Sequence, residues 1–154
     1  QEKRKIPTQL DDFPAPTVNT YSLETTIAEK IDAILSLMEF SSRMKDYYDI
    51  YYLANKFNFD GATLTEALKK TFENRGRTFT VGQFEQVMGF GNDEAMKKKW
   101  KAFCRKIDTN TEDYGTVLRK INYFLAKPFA AAVTDNNLTE CWISSVNEWQ
   151  QGGF

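Results

Sequence analysis

The stretch 22–56, SLETTIAEKIDAILSLMEFSSRMKDYYDIYYLANK, decides the fold. Its first half sets Leu23, Ile27, Ile31, Ile34, Leu35 and Met38 at intervals of three and four residues, the signature of one apolar stripe on a helix. Ser22 stands where a hydroxyl can take a free amide of the first turn, so a helix is predicted from Leu23 to about Glu39. Phe40-Ser41-Ser42 interrupts the pattern and offers a second cap. Beyond it, Met44, Tyr47, Tyr48, Tyr51 and Ala54 mark the inner face of a second helix that runs to about Lys56. With so few linking residues the two helices must fold back on each other as an antiparallel hairpin.

Further along, Asn58 to Gly61 closes the second helix, and Thr63-Leu64-Thr65-Glu66 reads as a capping box that opens a third, through about Arg75 with Gly76 as its stop. Between Thr80 and Gly91, Phe84, Val87 and Met88 have helical spacing, and Gly82, Gly89 and Gly91 confine that helix to two or three turns. Asp93 caps a longer one with Met96, Trp100, Phe103, Cys104 and Ile107 inward. Thr109-x-x-Glu112 is expected to cap the next, which carries Val117, Leu118, Ile121, Phe124 and Leu125, and Pro128 is expected to end or kink it. Trp142, Ile143, Val146 and Trp149 are again spaced as a helix. The prediction is therefore an all-α helical bundle over residues 21–150. Pro7, Pro14 and Pro16 make residues 1–20 an extended or short β segment, a linker or leftover strand, and the whole reads as a piece of a longer protein.

The bulk properties fit a helical packing unit. The chain has 154 residues, 42% of them hydrophobic, with 12 Phe, 7 Tyr and 3 Trp, so a core can form. A formal charge of −1 excludes a global attraction to nucleic acid or acidic lipid; any polyanion must be met locally. Cys104 and Cys141 lie far apart and there is no histidine, which leaves zinc sites and disulfide frameworks unsupported. No apolar run approaches the roughly 18 residues that span a bilayer. A cytoplasmic protein with reduced thiols and no membrane partner is expected.

Chemistry concentrates in Arg43-Met44-Lys45-Asp46-Tyr47-Tyr48-Asp49, where two cations and two carboxylates occupy neighbouring helical turns. One interpretation is a solvated helix whose exposed ion pairs, Arg43 with Asp46 and Lys45 with Asp49, each contribute about 0.3–0.5 kcal/mol. The other is an anion-handling site, with Lys30 emerging beside Ile27, Ile31 and Ile34 at the seam between the two helices, where its ammonium can reach a phosphate or simply snorkel to water. Arg75 and Arg77 flank Gly76 just past a helix end, placed either to grip a phosphate or to neutralise carbonyls. Lys97, Lys98, Lys101 and Arg105 form a stripe that can track an RNA backbone or remain a wet face.

Tyr21-Ser22-Leu23-Glu24-Thr25-Thr26-Ile27-Ala28-Glu29-Lys30, followed by Ser42-Arg43-Met44-Lys45-Asp46-Tyr47-Tyr48-Asp49-Ile50, resembles the nucleotidyltransferase toxins of the AbiEii/AbiGii abortive-infection family. The likeness continues through Phe59-Asp60-Gly61, Ala67 and Thr71-Phe72-x-x-Arg75, over about residues 14–80. It implies a bacterial toxin of a type IV toxin–antitoxin system that joins a nucleotide to an acceptor, with magnesium, a nucleoside triphosphate, tRNA or another RNA acceptor, and a cognate antitoxin as its partners. On the family's pattern Lys30 contacts the triphosphate, Asp46 and Asp49 complete the active site, and Arg43, Lys45 and Arg75 support substrate binding. The resemblance also implies that the metal ligands sit on an N-terminal α/β palm, after a Gly-Ser turn. No Gly-Ser dipeptide occurs in this sequence, so no metal ligand set is expected within these 154 residues and the chain alone is expected to be inactive. The competing expectation is a non-catalytic helical module that binds an antitoxin or RNA.

Overall fold

The computed structural model describes residues 22–41, 43–109 and 111–152. The extended segment and linker expected over residues 1–20 lie outside these. Six helices follow in order: α1 (Leu23–Leu37), α2 (Met44–Lys56), α3 (Gly61–Asn74), α4 (Val81–Met88), α5 (Glu94–Lys106) and α6 (Tyr114–Val133). Two 3₁₀ turns, Met38–Phe40 and Gly89–Asn92, and three short strands, β1 (Phe59–Asp60), β2 (Cys141–Ile143) and β3 (Glu148–Gln150), complete the described chain. The molecule is mostly helical, as expected, with one small sheet that the sequence reading lacked.

The α1 stripe is buried as the spacing requires: Leu23, Ile27, Ala28, Ile31, Ile34 and Leu35 all lie in the core, against α2 and α3. Ser22 caps the helix, its hydroxyl oxygen accepting from the Thr25 amide at 3.1 Å. The helix stops at Leu37 rather than Glu39 because Met38 takes a left-handed φ of 52°, a conformation that side chains with a Cβ resist. Helix α2 packs back on α1 and also on α6, burying Met44, Tyr47, Ile50, Leu53 and Ala54. Tyr48 and Tyr51 are only half-buried at its margin.

The caps of α3 and α6 differ in position from expectation. Asp60, not Thr63, opens α3 by accepting from the Thr63 amide at 3.0 Å, so that the helix begins at Gly61. Thr80 and Gln83 form the capping box of α4. Asp113, not Thr109, caps α6 through the Thr116 amide at 3.2 Å. The Asp60 and Asp113 carboxylates each lie within reach of an unsatisfied first-turn amide. Asp93 caps α5 as expected, through Met96 at 2.9 Å, and Gly76 ends the α3 segment at φ 66°.

The last two corrections share one cause. The tail is a hairpin, not a helix: β2 pairs antiparallel with both β1 and β3, with Trp142 opposite Phe59 and Trp149. Helix α6 also continues past Pro128 to Val133 instead of ending there. Proline has no amide hydrogen, so the carbonyl four residues earlier, Phe124, loses its helical partner. The indole N–H of Trp149 supplies one, donating to the Phe124 carbonyl at 3.1 Å and to that of Tyr123 at 3.2 Å, with its ring parallel to Phe124 at 6.2 Å. Trp142, fully buried, does the same for α2, donating to the Ala54 carbonyl at 2.8 Å near the helix end.

Candidate functional site

The hairpin of α1 and α2 brings five of the six sequence-predicted residues together. Lys30 leaves α1 beside the Ile27–Ile31–Ile34 stripe and its ammonium lies 2.9 Å from Asp49 Oδ2 and 3.5 Å from Asp46 Oδ1, both on α2. Lys45 reaches the same Asp49 Oδ2 at 2.7 Å, and Arg43 Nε lies 3.2 Å from Asp46 Oδ2. The solvated-helix interpretation fails on burial: Asp46 and Asp49 are each only 2% exposed. The cations form the outer layer, with Arg43 59% exposed at its side chain and Lys30 and Lys45 partly so. Two sealed carboxylates thus hold three ammonium or guanidinium heads at the surface, leaving one positive charge in excess.

The electrostatics follow from that layering. Burial by itself would lower the Lys30 pKa, but the Asp49 and Asp46 carboxylates outweigh it and leave the ammonium held above its ordinary value. Asp46 is also raised, because burial outweighs the attraction of Lys30 and Arg43 and the nearby Asp49 charge adds to it. Both directions arise from one buried cluster in which the shared counter-ions do not fully offset the loss of water around Asp46. Asp49 Oδ1 is buried and makes no hydrogen bond among the described residues. Next to the acids, the Tyr47 ring meets Tyr114 edge to face at 5.4 Å, and burial pushes the Tyr47 hydroxyl up to about 12.

Arg75 sits elsewhere. Its Nη1 lies 3.2 Å from Asp32 Oδ2 and its Nη2 3.9 Å from Glu29, while Arg77 closes on Asp32 through Nε at 2.9 Å and Nη2 at 3.3 Å. Asp32 is fully buried, so the two arginines are the counter-ions of an interior carboxylate and fasten the end of α3 to α1. Sequence reasoning offered phosphate or carbonyls as their partners and overlooked Asp32. The signal was present: Ala28, Asp32 and Leu35 fall on one face of α1, which puts an acid inside the core contact.

The charged stripe of α5 is at the surface, with Lys98, Lys101, Arg105 and Lys106 exposed. Lys97, Trp100, Lys101, Arg105 and Asp113 help to line a cleft of about 520 Å³ beside it. Lys99 points the other way, donating to the carbonyls of Glu39 and Ser41 at 3.0 and 2.9 Å. Among the described residues no group of three or more acid, cysteine or histidine side chains is arranged to hold a metal ion. Asp46 and Asp49 do not substitute for one, since Asp46 Oδ1, Asp46 Oδ2 and Asp49 Oδ2 already face Lys30, Arg43 and Lys45 and a divalent cation would meet those positive charges. No helix of the described residues is long and apolar enough to cross a membrane.

Comparison with known proteins gives one match. The family model described as nucleotidyl transferase AbiEii toxin, Type IV TA system, matches residues 1–134. That range extends well past the 14–80 over which the motifs were legible, and takes in α4, α5 and α6. The hairpin of β2 and β3 lies outside it. No curated protein and no solved structure matches the chain. The chain belongs to the nucleotidyl transferase AbiEii toxin family of type IV toxin–antitoxin systems.

Proposed function

We propose that the α1–α2 cluster is the triphosphate-binding part of a nucleotidyltransferase site, completed by residues that this stretch does not supply. The observation that carries it is the placement of Lys30 between Asp46 and Asp49, with Lys45 and Arg43 on the same two carboxylates and one positive charge left over. Lys30 is the phosphate ligand. Asp49 orients Lys30 and Lys45 through one shared oxygen, and Asp46 orients Lys30 and Arg43, so the cations stand preorganised before the nucleotide arrives. Holding charge in place this way suits phosphoryl chemistry, where positioned cations carry much of the work.

In nucleotidyl transfer an acceptor hydroxyl attacks the α-phosphorus, a new P–O bond forms, the bond to the β-phosphate oxygen breaks, the hydroxyl gives up its proton, and pyrophosphate leaves. The cluster's role is to bind the departing phosphates. The family implies magnesium, but among the described residues no group of side chains is arranged to hold a metal ion. Arg75 is given no part, because its guanidinium is committed to Asp32. The reading calls for a nucleoside triphosphate and an RNA acceptor in the cytoplasm, and membership of a toxin–antitoxin family implies an antitoxin as partner.

The test is incorporation of a labelled nucleotide into RNA by the protein complete with its other catalytic residues. Lys30→Ala and Asp46→Asn should each abolish transfer while the far-UV circular dichroism stays native. Full activity in both variants would discard the site and favour a non-catalytic interaction module.

A further inference from the structure

Among the described residues, α2 is the one α-helix that begins without a side-chain cap. Arg43, its N-cap residue, makes no such bond, whereas Ser22, Asp60, Thr80, Asp93 and Asp113 cap the other five. This is also the helix that carries Lys45, Asp46 and Asp49, with Arg43 at its start. Its placement therefore depends on the turn that precedes it. That turn is strained: Met38 takes a φ of 52°, which favours glycine, and such a conformation persists only where its surroundings over-determine it.

The restraint comes from α5. Lys99 is half-buried and donates to the carbonyls of Glu39 at 3.0 Å and Ser41 at 2.9 Å. Ser41, 1% exposed, has all three of its polar groups in use. Its amide donates to the Met38 carbonyl at 3.3 Å, its carbonyl accepts from Lys99, and its hydroxyl oxygen accepts from the Arg43 amide at 3.0 Å. The contacts continue from Arg43 Nε to Asp46 Oδ2 at 3.2 Å, and from Asp46 Oδ1 to Lys30 at 3.5 Å. An ammonium on α5 is thus joined to the Lys30 cluster through one buried serine. The exposed Lys98, Lys101 and Arg105 leave α5 on another side and take no part in this chain of contacts.

We propose that Lys99 is a positioning residue of the triphosphate site, holding the turn between α1 and α2 so that Arg43 meets a phosphate together with Lys30. The inference rests on the reading of the Lys30 cluster as a phosphate site. Lys99 does not itself touch the nucleotide, since its ammonium is turned onto two backbone carbonyls. Its contribution is preorganisation: with the turn released, Arg43 loses on binding the freedom that it otherwise loses on folding. A lysine that only neutralised the end of α1 would affect unfolding and leave phosphate binding by the folded chain as it was.

The experiment is calorimetric titration of the 154-residue chain with inorganic tripolyphosphate in about 150 mM salt, at a temperature where circular dichroism shows each variant folded. Lys99→Met should weaken binding about three- to tenfold, the size of one or two lost hydrogen bonds. In an Arg43→Gln background the same substitution should change affinity by less than about twofold, because Lys99 acts through Arg43. Ser41→Ala cuts the link at its middle with a smaller change of volume, and should weaken binding as Lys99→Met does. An α5 charge-reversal variant, Lys98→Glu with Lys101→Glu and Arg105→Glu, should bind within about threefold of the parent, since exposed charges are largely screened at this salt. Parent affinity in either Lys99→Met or Ser41→Ala, a loss just as large in the Arg43→Gln background, or an equal loss in the charge-reversal variant would each overturn the proposal. If Lys30→Ala still lowers affinity, those results leave the triphosphate site standing. Unchanged affinity in Lys30→Ala would overturn the site, and this proposal with it.

Discussion

Asp46 is a buried carboxylate whose counter-ions do not fully offset its burial. A group whose folded pKa lies above its unfolded value favours the folded state most when protonated, so its contribution is fully present below the ordinary value of 3.8 and lost as pH rises through the folded value. At neutral pH Asp46 therefore costs stability. Asp46→Asn is predicted to unfold within about 1 kcal/mol of the parent or at higher urea, although it removes two ion-pair partners. Lys30 behaves oppositely at neutral pH. Its pKa is raised from 10.5, so its ammonium stabilises the fold at all lower pH, and that contribution is lost as pH climbs through the raised value. Lys30→Met should lower the unfolding free energy at pH 7 by about 1–3 kcal/mol, because it strips a counter-ion from two buried acids. The loss should shrink above pH 10.5, where the parent loses the same contribution. Urea titrations of both variants against pH check the signs. The pairing of Arg43 with Asp46 and of Lys45 with Asp49 was legible from spacing, whereas the joining of Lys30 to them rested on its place at the helix seam and on the family resemblance. The burial of the two acids was not legible, because alternating Asp and Tyr on α2 leaves the width of the buried face open until α6 packs on it.

At the scale of elements, α6 shows what periodicity can and cannot reveal. Its apolar positions Val117, Leu118, Ile121, Phe124 and Leu125 are buried as their spacing requires. Its continuation past Pro128 depends on a residue 21 positions further on, Trp149, which no local rule connects to it. The tail was misread for a related reason. Trp142, Ile143, Val146 and Trp149 fit a helical stripe, but Asn147 takes a left-handed φ of 56° and turns the chain so that the two tryptophans meet across a hairpin. Trp149→Phe keeps a ring to stack on Phe124 and removes the donor, and should cost about 1–2 kcal/mol in chemical unfolding. The same substitution in a Pro128→Ala background should cost less, since the restored amide at 128 takes the Phe124 carbonyl. Equal costs in both backgrounds would show that the indole does not serve the proline's missing hydrogen bond. Gly61 marks a third long-range constraint: a Cβ there would collide with the Glu140 carbonyl, which accepts from the Gly61 amide at 2.9 Å. Gly61→Ala should therefore loosen the join between α3 and the segment leading into β2, and lower the melting temperature.

Across the whole molecule, charge is sorted by surroundings. Carboxylates inside the core are matched by cations at its edge, as Asp32 is by Arg75 and Arg77, and Asp46 and Asp49 by Lys30, Lys45 and Arg43. On α5, among the described residues, only Lys97 has a carboxylate partner, Glu94. Family membership over residues 1–134 accords with the nucleotidyltransferase reading, while the arrangement of α1 against α2 gives that reading its particular atoms. The central claim is that the Lys30 cluster binds phosphates, and calorimetric titration of the chain with inorganic tripolyphosphate measures it most directly. The account predicts weak but saturable binding that falls at least tenfold in Lys30→Ala and persists in the α5 charge-reversal variant. Affinity unchanged by Lys30→Ala, or lost only when α5 is reversed, would contradict it.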